Sequence, residues 1–239
     1  MAEELSSPLP GTARWPVTLP PLAVGVYAIS AICGLLDSAT FLGLGHAFVE
    51  TMTGNILLLA FTLGVRIGGQ PASPLPGTTE WPYLVALACF AVGSVAGGRL
   101  VRAEEHGRRV GFILDATLVG VTAVAVLLTH PTPTSGSRFL IIGILSFAMG
   151  IQNALMRKWG IRDLATNVMT LTLCGLLAES TLGGGTNPNA RRRATSIGIF
   201  LIGAISGAAL VGHGILWPIL TAFALFAVAL PVLMQHPQP

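Results

Sequence analysis

The residues best equipped for chemistry in this chain are polar ones set inside apolar surroundings. Asp37 stands in GLLDSATFLGLG, and Glu50 to Asn55 reads ETMTGN. Further on, Gln152 and Asn153 stand in GIQNALMRKWG, and Asn167 to Thr172 reads NVMTLT. The Asp37 carboxylate, several carboxamides and the hydroxyls of Thr51, Thr53, Thr170 and Thr172 are suited to holding a proton, a small cation or a polar solute. They are not suited to covalent catalysis: there is no HExxH, no GxSxG and no carboxylate pair at usable spacing. The 5 histidines show no metal-ligand spacing. Neither an enzyme nor a cofactor or metal is expected.

The elements that must position these residues are set by composition. Of 239 residues 52% are hydrophobic and only 10% charged, whereas a soluble domain carries roughly 25% charged residues to wet its surface. The chain is expected to be an integral, multi-pass membrane protein with the lipid bilayer as its main partner. The net charge of +3 comes from arginines in short clusters between apolar runs, which orient a membrane protein and do not make a nucleic-acid face. Cys33, Cys89 and Cys174 all fall inside apolar runs and read as small packing residues.

A helix crosses the hydrocarbon core with about 20 apolar residues. Leu22 to Gly43, Tyr83 to Leu100, Val110 to Leu128 and Phe139 to Met156 qualify, and Ser196 to Gln235 is long enough for two spans turned at Gly212-His213-Gly214. Trp15, Trp81, Trp159 and Trp217 fall near the expected ends, where indoles prefer the headgroup layer. Two shorter segments, Phe48 to Val65 and Leu164 to Leu177, begin with the polar blocks. Residues 1–20 are acidic and proline-bearing, lack a signal-peptide n-region, and are expected to form a cytoplasmic tail.

Internal repetition orders these segments. GLLDSATFLGLG matches GIQNALMRKWG with Asp37 opposite Asn153, the two Met-Thr pairs follow, and FAVGSVAGG from Phe90 matches FLIGAISGA from Phe200. Such a pattern predicts a tandem duplication, with repeats over 21–129 and 138–235. Of the 13 basic residues, a path of six spans leaves only Arg66 and Arg138 on one side. An eight-span path splits them nearly evenly, and a seven-span path breaks the equivalence of the halves. The expected fold is therefore all-α and polytopic: two inverted repeats, with six spans and two polar-headed re-entrant or short helices. Both termini fall on the cytoplasmic side.

GLLDSATFLGLGHAFVETMTGN and AMGIQNALMRKWGIRDLATNVMTLTLCGL resemble the two signature stretches of the YoaK-like bacterial membrane proteins, a family of unknown function. The resemblance extends from about Pro21 to Val232. Members usually carry Asn where this chain has Thr51, and Gly where it has Leu171. The resemblance implies a bacterial inner-membrane protein, sometimes suspected of transport, with no established substrate.

With the halves brought together, Asp37 and Asn153 are expected to face a common cavity with Gln152, Asn55 and Asn167, near the threonines Thr51, Thr53, Thr170 and Thr172. The bland alternative makes Asp37 a cap on the polar-headed segment, and the threonines partners of the preceding helical turn. Asp115, placed about five residues into its helix, is expected near the interface. Glu50 and Glu179 are expected at the surface. Gly93, Gly97, Gly203 and Gly207 form two GxxxG pairs that let helices approach closely, between the halves or in a homo-oligomer. The functional expectation is a transporter or permease for an unknown small solute; a passive channel and a membrane scaffold or assembly partner are the alternatives.

Overall fold

The computed structural model describes residues 21–69, 79–159, 169–187 and 189–235. Its helices are α1 (Pro21–Gly43), α2 (Met52–Ile67), α3 (Trp81–Arg102), α4 (Glu104–Thr129), α5 (Ser137–Trp159), α6 (Met169–Ala178), α7 (Ala190–Val211) and α8 (Leu216–Leu233), with a short 3-10 turn over Thr181–Gly183. No strand occurs among the described residues. Six helices, all except α2 and α6, are long and apolar enough to span a bilayer. Leu201, Ile202, Ile205 and Val228 point outward, as residues facing lipid must. Trp81 opens α3, Trp159 closes α5 and Trp217 stands near the start of α8; Trp15 lies outside the described residues.

Backbone approach at glycine decides how the helices pair. A Cβ on Gly93 or Gly150 would overlap the carbonyl of Phe147 or Phe90, which fits α3 against α5. A Cβ on Gly34 or Gly203 would overlap the carbonyl of Phe200 or Ala31, which fits α1 against α7 in the same way. Gly97 meets Ile151 and Ala154, and Gly207 meets Leu35 and Ser38. Both pairs therefore run parallel. Helix α8 runs antiparallel to α1, with Gly25 beside Leu233 and Gly43 beside Ile215. It also runs antiparallel to α4, with Arg108 reaching the Met234 carbonyl at 3.1 Å and Gly120 beside Phe223.

These directions fix the path of the chain. Helix α1 is antiparallel to α8, which is antiparallel to α4, so α1 and α4 point the same way. Helices α3 and α4 are joined by Ala103 alone in a tight hairpin, so α3 opposes α1. No net crossing lies between them, and α2 is a returning limb. The same reasoning applied to α5, which follows α3, and α7, which follows α1, makes α6 a limb that does not cross. Seven or eight spans would reverse one of these directions.

The close fits carry a mutational expectation. Gly97→Leu should cost about 1–3 kcal/mol, because the added side chain must displace backbone and not only a side-chain tip. Gly98→Leu, at a position with nothing within 4 Å of an added Cβ, should be near neutral. Thermal unfolding of the two purified variants in detergent checks the contrast, and equal losses would refute this packing.

Candidate functional site

Between α1 and α2 the chain unwinds over residues 44–51, yet Leu44, Ala47 and Val49 are fully buried. Irregular backbone inside an apolar core is tolerated only when each of its polar groups has a partner. The residues singled out from sequence supply many of those partners. Asp37 Oδ1 accepts the backbone amides of Val49 at 2.8 Å and Glu50 at 2.7 Å. Its Oδ2 accepts the Thr51 amide at 3.0 Å and the Thr51 hydroxyl. Asn55 clamps Phe48 from both sides: its Oδ1 accepts the Phe48 amide at 2.9 Å, and its Nδ2 donates to the Phe48 carbonyl at 2.7 Å.

The unwound segment is the inward limb of a hairpin. Gly45, whose positive φ of 100° turns the chain, sits beside the Arg138 guanidinium and the Pro133 carbonyl. Glu50, five residues on, accepts a hydrogen bond from Asn153 Nδ2 at 2.6 Å. Arg138 and Asn153 lie about 22 Å apart along α5, so the segment runs inward beside that helix, spanning what the two long side chains leave. The 16 residues of α2 then return about 24 Å.

This geometry corrects several expectations. Asp37, Thr51 and Asn55 do not present free groups to a cavity; their polar atoms hold the inward limb. Asp37 and Asn153 do not face one another as a pair of ligands: Asn153 donates to Glu50 and, at 2.8 Å, to the Met149 carbonyl of its own helix. Thr53 and Thr170 are exposed, while Thr172 is buried. Asn167 lies outside the described residues. The main packing of α2 is on α3 and that of α6 is on α7, so the two Met-Thr pairs rest on different helices. Of the cysteines, Cys33 is buried, Cys89 half-buried and Cys174 exposed.

Two acids the sequence placed near water are instead buried. Glu50 is 6% exposed and Asp115 0%. Glu179, by contrast, is exposed and pairs with Arg193 at 2.7 Å. Asp115 lies deeper than expected because α4 begins at Glu104, not Val110. The missed signal is in EEHGRR itself: acids in a first turn suit the helix N-terminus, and Glu105 pairs with Arg109 one turn on at 3.0 Å. For Glu50 no local signal exists, since only the hairpin carries it inward.

The buried polar centre therefore consists of Glu50, Asp115 and Gln152 beside Cys33. Gln152 Nε2 lies 3.3 Å from Cys33 Sγ. Its Oε1, both oxygens of Asp115 and Oε1 of Glu50 are buried with no hydrogen-bond partner among the described residues. Close by, a cleft of about 630 Å³ runs between α3 and α5, lined by Ser94, Gly98, Asn153, Arg157 and Lys158 among others. Of its lining residues, Asn153 is the one that donates to Glu50. Acceptors without donors at membrane depth are costly, and such groups mark sites for ions, protons or solutes.

Comparison with known proteins agrees with a membrane protein. Residues 25–232 match the family described as "Protein of unknown function (DUF1275)". The UPF0700 transmembrane protein YoaK of Bacillus subtilis (strain 168) is 29% identical over 159 residues, 63% of this chain and 65% of that protein. The alignment thus spans slightly less than two thirds of that relative's length. No solved structure matches. On the match over most of its length, this multi-pass membrane protein belongs to the DUF1275, YoaK-like family.

Proposed function

We propose that the protein is a small-solute transporter or permease of the bacterial inner membrane, built from two inverted repeats, with its polar site in the middle of the helix bundle and both termini cytoplasmic. The observation that carries this reading is the unwound limb 44–51, buried in the core and delivering Glu50 to a centre of unpartnered oxygens. Broken helices meeting at the midplane are a recurrent way to bind and release a solute, because rocking of one half against the other exposes the centre to each side in turn. The helix pairing supports two equivalent halves: α1 fits on α7 as α5 fits on α3, and each polar-headed helix rests on the long helix after it. Three spans per half oppose the direction of corresponding helices, as inverted repeats require.

A thermal-shift screen of polar solutes on the purified protein tests the proposal. A true substrate should raise the unfolding temperature of the wild type and lose most of that effect in Asn153→Ala and Glu50→Gln. A solute that stabilises all three equally would place binding elsewhere. A full screen without any stabilising solute, together with an unchanged cellular phenotype in both variants, would favour a scaffold.

A further inference from the structure

Three carboxylates lie together in the core, and their hydrogen bonding separates them into two kinds. Asp37 has both oxygens engaged by the inward limb. Glu50 has one oxygen on Asn153 and one unpartnered, and Asp115 has neither oxygen partnered. Glu50 is within electrostatic reach of both Asp37 and Asp115, and Cys33 is within reach of all three.

No basic residue among the described ones is paired with them. The described ion pairs involve Arg66, Arg108, Arg109 and Arg193, each with an acid outside this centre. Helix α1 carries no charged residue in its span except Asp37, and α8 carries none from Leu216 to Leu233. Helix α5 carries Arg138 near one end and Arg157 and Lys158 near the other; α3 carries Arg99 and Arg102 in its last turn. Arg138 is turned to Gly45 and the Phe139 ring, and Arg108 to Met234 and Glu105.

The centre thus has four unpartnered acceptor oxygens, on Glu50, Asp115 and Gln152, and no donor for them among the described residues. A proton on either acid supplies what is missing, because a carboxylic acid donates one hydrogen bond while its charge is removed. A metal ion fits less well: among the described residues no three His, Cys, Asp or Glu side chains converge as a ligand set.

We propose that Glu50 and Asp115 form a buried proton-binding pair, flanked by Gln152 and Asn153, through which the protein couples a proton to the movement of its solute. The coupling rests on the transporter reading; the proton site itself does not. Water in the cleft beside Asn153 delivers the proton to Glu50. The proton then passes from the Glu50 carboxyl to the Asp115 carboxylate, leaving Glu50 ionised and Asp115 neutral, with no other bond made or broken. Rocking of the halves, which the same unwound limb permits, returns it to the opposite side.

Infrared titration of the purified protein in lipid, in choline chloride buffer, tests the site without any solute. The wild type should show the carbonyl band of a protonated carboxyl at neutral pH, lost reversibly on titration to alkaline pH. Asp115→Asn should remove most of that band, Asp115→Glu should restore it, and Glu50→Gln should move its midpoint. Glu80→Gln, at the start of α3 and paired with Arg66 away from this centre, should change nothing. Circular dichroism and gel filtration verify that each variant is folded. A wild type without the band at neutral pH, or a band indifferent to both Asp115→Asn and Glu50→Gln, overturns the proposal. So does a band abolished by sodium chloride at constant pH, which would assign the site to a cation. An intact proton band with no transport by the reconstituted protein would defeat the transporter reading alone.

Discussion

Replacing Asp37 by alanine should lower the unfolding free energy by about 3–5 kcal/mol, the range found when one member of a buried charged network is removed. The physical reason is the number of groups left behind. The amides of Val49, Glu50 and Thr51 and the Thr51 hydroxyl all end on this one carboxylate, and each buried donor without a partner costs about 1–3 kcal/mol. The loss falls short of the sum because the segment relaxes and admits water. Asp37→Asn should be milder, about 1.5–3 kcal/mol, since a carboxamide keeps one acceptor oxygen but turns an NH2 toward donors. Thr51→Ala, which removes a single bond, should cost about 1 kcal/mol. Chemical unfolding in mixed micelles measures the series; alanine at 37 as stable as wild type would mean that this carboxylate does not hold the limb.

The second large effect has the opposite sign. Asp115→Val should raise stability by about 1–3 kcal/mol, because exchanging a buried acid that no protein donor reaches for an apolar group of similar size removes a desolvation cost larger than the one hydrogen bond its proton supplies. The same variant should abolish proton-coupled uptake by the reconstituted protein. Stability gained where activity is lost is the expected signature of a site kept for function. Thermal unfolding and uptake measured on one preparation decide it, and a destabilised Asp115→Val would show that the carboxyl has a structural partner after all.

Asp37 and Asp115 share residue type and near-complete burial, yet their substitution is expected to act in opposite directions. Sequence pattern could not separate them. Asp37 stands out in the sequence because its neighbourhood recurs around Asn153, but its oxygens are engaged by amides 12–14 residues further along its own half. The arginines before Asp115 read as a loop in sequence, which puts the expected helix start six residues late. Glu50 is expected at the surface from sequence, and its approach to Asn153 joins residues 103 apart. Asn55, read as a ligand for solute, is a clamp on Phe48.

The sequence by itself determined the membrane class, the positions of the six apolar helices to within about two turns and the two short polar-headed segments. Lipid as solvent imposes this directly: each span must be apolar over a fixed length, and charge must collect outside it, whatever the helices do to one another. Only the tertiary structure decided which polar residues are engaged and which are left over. A hydrogen bond is a relation between two groups, and in a helical membrane protein the second group commonly lies on another helix or a distant limb. The polar knot at Glu50 to Asn55 is mostly the chain satisfying itself; Glu50, delivered by that knot, is the part of it left for chemistry.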